Sequence, residues 1–275
     1  MQHTQKLVHL QNYIRQFPNA LVAFSGGIDS AFLLKIARDV LGKENVLAVT
    51  AVSASLPQKE KEQTIETATI LDVRHQFIYT DELDNENYVS NPVNRCYFCK
   101  SELYSKLSQL TFDKNYAVIF NGTNADDLGD YRPGIVAGTE YKILSPLAQC
   151  GFTKEEIRTE ARKLNIEIWN KPASPCLSSR IPYGENVTPK KLLQIEQAED
   201  FLHSLGFEIC RVRHHDTIAR IEIPTEDFIK IMEDQMREQI NTRLKEIGFS
   251  FVTFDASGFS SGSFNTVLLA LPQQN

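Results

Sequence analysis

Long apolar runs are missing from this chain. No segment approaches the roughly 20 consecutive apolar residues that cross a bilayer, so no helical membrane span and no membrane partner are expected. The first residues, MQHTQKLVHLQNYIRQF, scatter charges through an amphipathic pattern and lack both the apolar core and the small-residue cleavage site of a secretory leader. Cysteine is scarce and odd in number: five thiols, at 96, 99, 150, 176 and 210, argue against a secreted disulfide framework. An excess of positive charge is missing too, since 29 Lys and Arg face 35 Asp and Glu for a net charge of −6. That balance argues against a broad nucleic-acid surface, which needs clustered cations to neutralise phosphates. No internal repeat or low-complexity tract is present. The expectation is a soluble, cytoplasmic protein. Its 42% hydrophobic and 23% charged residues over 275 positions are ordinary for a folded chain with a substantial core, in one large domain or two smaller ones.

Two regimes follow along the chain. As far as about residue 170, short runs rich in Val, Ile, Phe and Tyr (22–24, 46–52, 75–80 and 116–120) alternate with helical patterns at 28–41, 57–71 and 94–110. Such alternation predicts an α/β fold, a parallel sheet with helices on both faces. Thr153-Lys154-Glu155-Glu156 reads as a capping box opening a further helix, with an alternating element, EIW, after it. Ligands in such sheets lie at the carboxyl ends of the strands, which gathers Ser25–Ser30, Ser53–Leu56 and Gly122–Asp130 around one crevice. Beyond the Pro- and Ser-rich stretch 172–184 the order becomes helix, strand, strand, helix, strand. This predicts a smaller α+β domain with an antiparallel sheet. The expected domains are 1–184 and 185–275.

The apolar run Leu21–Phe24 ends in Ser25-Gly26-Gly27-Ile28-Asp29-Ser30 and continues as a helix. A buried strand entering a glycine turn and then a helix collects backbone N–H groups, two hydroxyls and the positive helix end at one concavity suited to a polyphosphate. The turn has neither the lysine of a Walker loop nor G-x-G-x-x-G spacing. Its alternative is an ordinary strand-to-helix turn capped by Ser25 or Asp29. With all five fixed positions present, it resembles the PP-loop of the ATP pyrophosphatase superfamily, whose members cleave ATP between the α and β phosphates. Asp29 would hold Mg2+, because a carboxylate faces phosphates favourably only across a hard cation. Asp126 and Asp127 are candidates for that magnesium shell or for orienting substrate; the alternative is that they are simply solvated.

Cys96 and Cys99 form a C-x-x-C pair, and Cys176 stands 77 positions later between Pro175 and Ser178-Ser179-Arg180. Converging thiols hold a metal, form a redox pair or merely pack. A cationic Arg180 nearby would favour the Cys176 thiolate. Cys150 and Cys210 read as small buried hydrophobes.

Taken with these features, the stretches VAFSGGIDSAFLLKIA, DYRPG (130–134), WNKPASPCLSSRIPYG (169–184), RVRHHDTIARIE (211–222) and SGFSSGSFN (257–265) resemble the LarE-type sulfur transferases of nickel-pincer nucleotide biosynthesis. The match runs from Leu21 to Asn265. The resemblance implies that ATP adenylates a carboxylate of a nicotinate-derived pyridinium biscarboxylate mononucleotide, and that sulfur from sulfide or another donor then gives a thiocarboxylate. It also implies a homo-oligomer. Cys176 matches the sulfur-bearing cysteine of the family; Arg180, Glu199, Arg211, Arg213 and Asp227 match residues around its active site and phosphate-binding region. One type of the family sacrifices its single cysteine, which becomes dehydroalanine. The C-x-x-C pair makes this chain resemble the other type, in which three cysteines, here Cys96, Cys99 and Cys176, ligate a 4Fe-4S cluster.

Arg211 and Arg213 share parity on a strand and are expected to face one side, where two guanidiniums grip a phosphate; their alternative is pairing with Glu208, Glu222 or Glu199. His214 and His215 are expected in a hairpin turn, facing solvent; their alternative is to extend that anion site. Two other functions compete: a cluster-dependent tRNA thiolase, disfavoured by the net negative charge, and a nucleotide-responsive iron–sulfur sensor without turnover.

Overall fold

The computed structural model describes residues 2–129, 133–172 and 174–260. They form two compact units, 2–88 with 94–175 and 89–93 with 176–260. Cys176–Gly184, expected with the first domain, therefore group with the second unit.

In the first unit, helices α1 (Gln2–Ile14), α2 (Ile28–Leu41), α3 (Gln58–Ile70), α4 (Glu86–Val89, its last residue in the second unit), α5 (Arg95–Asp113), α6 (Pro133–Glu140), α7 (Pro146–Gln149) and α8 (Lys154–Lys163) surround strands β1 (Ala20–Ala23), β2 (Val46–Val52), β3 (Arg74–Tyr79) and β4 (Ile119–Phe120). The strands pair in parallel in the order β3-β2-β1-β4, with Ala20 opposite Val46 and Leu21 opposite Ile119. The central strand β1 is apolar on both sides because helices cover both faces. Val22 and Phe24 join Ile28, Phe32, Leu33 and Ile36 of α2 and Leu10 and Ile14 of α1 in one cluster, while Leu21, Leu47 and Val49 face Tyr104 and Leu107 of α5 in another. Each such buried Leu, Ile or Phe contributes about 1.5–3 kcal/mol, so α2 is anchored by its apolar side and its N-terminus is left at the end of β1.

The capping box at 153–156 forms as expected: Thr153 Oγ1 accepts from Glu156 N at 3.3 Å, and Glu156 Oε2 accepts from Thr153 N at 2.9 Å. The EIW segment is not an alternating strand. Glu167–Asn170 is one 3-10 turn; Ile166, just before it, faces the core, and the Trp169 ring lies under Arg162.

In the second unit, α9 (Pro189–Ser204) starts on a Thr188 cap with proline at its first turn. Strand β5 (Arg211–His215) pairs antiparallel with β6 (Ile218–Glu222) through a tight turn with Asp216 at φ 56°. Both histidines thus lie within β5 instead of the turn. The single helix expected between the second and third strands of this domain is a 3-10 turn (Thr225–Asp227) followed by α10 (Phe228–Met232) and α11 (Asp234–Ile247). This crossover returns the chain to pair β7 (Phe251–Phe254) parallel to β6, which corrects the expected all-antiparallel sheet. Val212, Ala219 and Ile221 pack on Ala198 and Leu202 of α9 and on Ile240 and Leu244 of α11. No helix among the described residues is long and apolar enough to cross a membrane.

Candidate active site

The turn from β1 to α2 has the features its sequence requires. Gly26 adopts φ +75°, a left-handed conformation, and a Cβ there would come within 2.8 Å of Thr64 Cγ2. Gly27 caps α2 without a side-chain hydrogen bond, so the first N–H groups of the helix have no side-chain cap from that residue. Ser30 Oγ donates to Gly27 O at 2.9 Å and lies 3.2 Å from Ser25 Oγ. The amides of Ser25 and Gly27 reach these hydroxyls only at 3.3 and 3.4 Å. Bonds at this outer limit are weak and readily exchanged for phosphate oxygens. Behind the turn, Thr50 Oγ1 donates to the Phe24 carbonyl at 2.7 Å and lies 2.8 Å from His75 Nε2. Since Thr50 spends its proton on Phe24, His75 is the donor of that second bond. Burial pushes the His75 pKa down, in keeping with a neutral ring.

Gly122, just after β4, backs onto the start of α2. A Cβ there would stand 2.8 Å from Ser30 N and 3.2 Å from Asp29 C, so this position tolerates no side chain. Asp29 itself is engaged at both oxygens: Asn124 Nδ2 donates to Oδ1 at 3.4 Å, and the Lys154 ammonium pairs with Oδ2. Asp126 and Asp127 do local work. Asp126 Oδ2 accepts from Lys154 N at 2.8 Å, Asp127 Oδ2 accepts from Asn124 N at 3.0 Å, and Asn124 Oδ1 accepts from the amides of both.

The five cysteines are all unbridged thiols. Cys96 and Cys99 occupy the first turns of α5 three positions apart, hence on one face; Cys96 is exposed and Cys99 half-buried. The Cys99 thiol donates to Glu82 Oε1 at 3.4 Å, and burial raises the Glu82 pKa. Cys176, half-buried, precedes a 3-10 turn, Leu177–Arg180, in the second unit. Arg180 contacts its carbonyl at 3.2 Å rather than its sulfur. Cys150 and Cys210 are buried, as expected, and burial raises both of their pKa values. Among the described residues, no three His, Cys, Asp or Glu side chains are grouped so as to hold a metal ion.

The family-matched arginines converge within the second unit. Arg180, 1% exposed, donates from Nε and Nη2 to the two oxygens of Glu199, each at 2.9 Å. Glu199 Oε1 also accepts from Val212 N at 2.9 Å, which ties α9 to β5. Arg213 donates to Glu222 Oε2 at 2.7 Å and to the Ser179 carbonyl at 3.0 Å. Arg220 bridges Glu222 and Asp255. Arg211 donates to the Cys210 carbonyl at 2.6 Å and lies over the Phe259 ring, and burial followed by the Arg180 charge lowers its pKa. Arg180, Arg213 and Arg220 are thus paired with Glu199, Glu222 and Asp255. Val212 between the arginines is wholly buried on the opposite face, as strand parity requires. His214 is not solvent-facing: it is buried, donates from Nε2 to Gln194 Oε1 at 3.2 Å and lies beside Phe249. Asp227 ends the 3-10 turn before α10. Asp130, Tyr131, Arg132 and the last residues of SGFSSGSFN lie outside the described residues.

Comparison with known proteins separates one PP-loop enzyme from another. The NAD synthase family model matches residues 3–90, the PP-loop half of the first unit. An uncharacterized Synechocystis protein is 43% identical across 96% of this chain and 98% of its own length, and an uncharacterized protein of Methanocaldococcus jannaschii is 30% identical across 94% and 98%. A Lactiplantibacillus plantarum protein, the pyridinium-3,5-bisthiocarboxylic acid mononucleotide synthase, is 37% identical across 93% of this chain and 92% of its own. The chain belongs to the LarE-type sulfur transferase family. Like other members of that family it is an ATP-dependent enzyme. The contacts of Gly122, Asn124 and Lys154 with the β1–α2 turn are what sequence reasoning missed. Gly122 and Asn124 lie in the stretch 122–130 expected at the crevice, where the sequence offers only Asp126 and Asp127 as candidates, and Lys154 is expected only within a capping box.

Proposed function

We propose that this chain adenylates the carboxylates of pyridinium-3,5-biscarboxylic acid mononucleotide and converts them to thiocarboxylates in nickel-pincer nucleotide biosynthesis. The observation that carries this reading is the near full-length likeness to a protein named for the bisthiocarboxylic acid product, in a chain whose β1–α2 turn has phosphate-binding geometry. The weakly bonded amides of Ser25 and Gly27 and the hydroxyls of Ser25 and Ser30 receive the departing pyrophosphate. They point at charge that develops as the bond from the α phosphorus to its bridging oxygen breaks and the electron pair leaves with pyrophosphate. Asp29, already paired with a cation, is the group to hold Mg2+, which offsets phosphate charge. The substrate carboxylate oxygen takes the place of pyrophosphate on the α phosphorus, so AMP becomes the leaving group for sulfur.

Arg211 and Arg213 are the groups to take the mononucleotide's phosphate, with Arg180 and Glu199 fixing the β5 side of that site. By donor type alone, the unbridged thiols of Cys96, Cys99 and Cys176 are the soft ligands that would hold the iron of a 4Fe-4S cluster, although the described residues do not group them. Such a cluster supplies an iron free to carry exchangeable sulfur, so that Cys176 serves as a ligand and survives turnover. The test is anaerobic incubation with ATP, Mg2+, sulfide and the biscarboxylate mononucleotide. AMP and thiocarboxylate forming together support the reading; tRNA-dependent AMP release without thiocarboxylate contradicts it.

A further inference from the structure

The PP-loop carries no lysine of its own, yet a lysine reaches it from 125 residues away. Lys154 Nζ pairs with Asp29 Oδ2 while Asn124 holds Oδ1, so both oxygens of the proposed magnesium ligand are occupied. Of the two partners, Asn124 is fixed: it is buried, and its Oδ1 is committed to the amides of Asp126 and Asp127. Lys154 is the labile one. Its backbone is pinned by the Thr153–Glu156 capping box and by Asp126, but its side chain is 37% exposed on a flexible stem that ends in a point charge. That side chain stands at the head of a cleft of about 590 Å³ along α8, also lined by Arg158, Arg162 and Trp169. Lys154, Arg158 and Arg162 follow one another four residues apart and so share a helix face, where like charges repel. An ammonium at that position is drawn to anions on the PP-loop side: Asp29 when the turn is empty, phosphate when it is filled.

We propose that Lys154 is a mobile phosphate-contacting residue: magnesium displaces its ammonium from Asp29, and the ammonium then moves to an oxygen of the pyrophosphate leaving group. This rests on the adenylation reading above. As the bond between the α phosphorus and the bridging oxygen breaks, the electron pair goes to pyrophosphate and the ammonium neutralises part of that charge without giving up its proton.

The test compares wild type, Lys154→Met, Lys154→Arg and Lys163→Met as purified without oxygen. AMP formation is followed against ATP and magnesium, and Mg-ADP binding is measured by isothermal titration. Lys154→Met is expected to lower kcat about 10²–10³-fold, the loss typical of removing one preorganised donor to developing charge, with KM for ATP little changed. Because Asp29 is freed, its magnesium half-saturation moves to lower concentration. Lys154→Arg, which keeps the charge, retains more of the rate than Met, and Lys163→Met leaves kcat and magnesium dependence at wild-type values. A folded Lys154→Met protein with kcat within about twofold of wild type and unchanged magnesium dependence overturns the role of Lys154 while adenylation stands. Wild type that binds ATP but makes no AMP with the mononucleotide overturns both.

Discussion

Replacing Glu199 by Ala removes both carboxylate contacts of a guanidinium that is almost wholly buried and leaves that cation without its bidentate partner. Breaking one side of a buried pair costs about 3–5 kcal/mol, because the remaining charge stays desolvated. A second loss is specific to this site: the Val212 amide, inside the core, gives up its acceptor at 2.9 Å, which adds about 1–3 kcal/mol. Arg180→Ala strands the carboxylate but leaves it the Val212 bond, so it is expected to cost less than Glu199→Ala. The double variant Arg180→Met with Glu199→Leu carries no stranded charge and retains only the Val212 term, so the two sites couple by several kcal/mol. Urea unfolding followed by circular dichroism gives the free energies, and hydrogen exchange at Val212 locates the change on β5. Single costs below about 1 kcal/mol that simply add would place the pair in the range of solvated surface bridges and refute the reasoning.

Other expectations follow from the same geometry. Burial, with Lys191 adding to it, lowers the His214 pKa to about 4, and its buried Nδ1 has no hydrogen-bond partner to accept a proton's bond. The unfolded chain therefore binds the proton first, so stability present above about pH 6.5 is lost as the pH falls toward 4, by at most about 3 kcal/mol; His214→Gln should flatten that slope in denaturation curves taken between these limits, and an unchanged slope contradicts it. Gly122→Ala places a methyl 2.8 Å from Ser30 N, against backbone that has no room to move, and should abolish AMP formation while circular dichroism remains native; a fully active variant would show that the approach to α2 is dispensable. Ala at Cys96, Cys99 or Cys176 should each lower anaerobic iron and labile-sulfide content, whereas Ala at buried Cys150 or Cys210 should leave it unchanged. Iron retained after Cys176→Ala but lost after Cys150→Ala would reverse the assignment.

The first unit was readable because its signals are local. A run such as Leu21–Phe24 is buried on both faces wherever helices cover a parallel sheet, and Gly26 and Gly27 permit one kind of turn. The capping box at Thr153 was equally self-contained. Failures came where the partner is distant in sequence. Nothing within a few residues of His214 announces that Gln194 and Phe249 will enclose it, and the alternation around EIW could not outweigh the packing of Ile166 into the core. The parallel pairing of β7 depends on the α10–α11 crossover, which a reading of one helix before the last strand conceals. At the site, the chemistry-bearing residue types were visible, but not all of their partners were. Arg213 on Glu222 is the pairing offered as an alternative from the sequence, whereas Lys154 on Asp29 is a contact that only the folded chain brings together.

In the proposed reaction a carboxylate oxygen leaves as part of AMP while sulfur takes its place. Mononucleotide labelled with heavy oxygen in its carboxylates, incubated anaerobically with the protein, ATP, Mg2+ and sulfide, tests that exchange directly by mass spectrometry of both products. The expected result is AMP carrying one heavy oxygen for every thiocarboxylate formed, with the intact chain retaining all five cysteine sulfurs. Unlabelled AMP, or thiocarboxylate formed with loss of a cysteine sulfur from the chain, would contradict it.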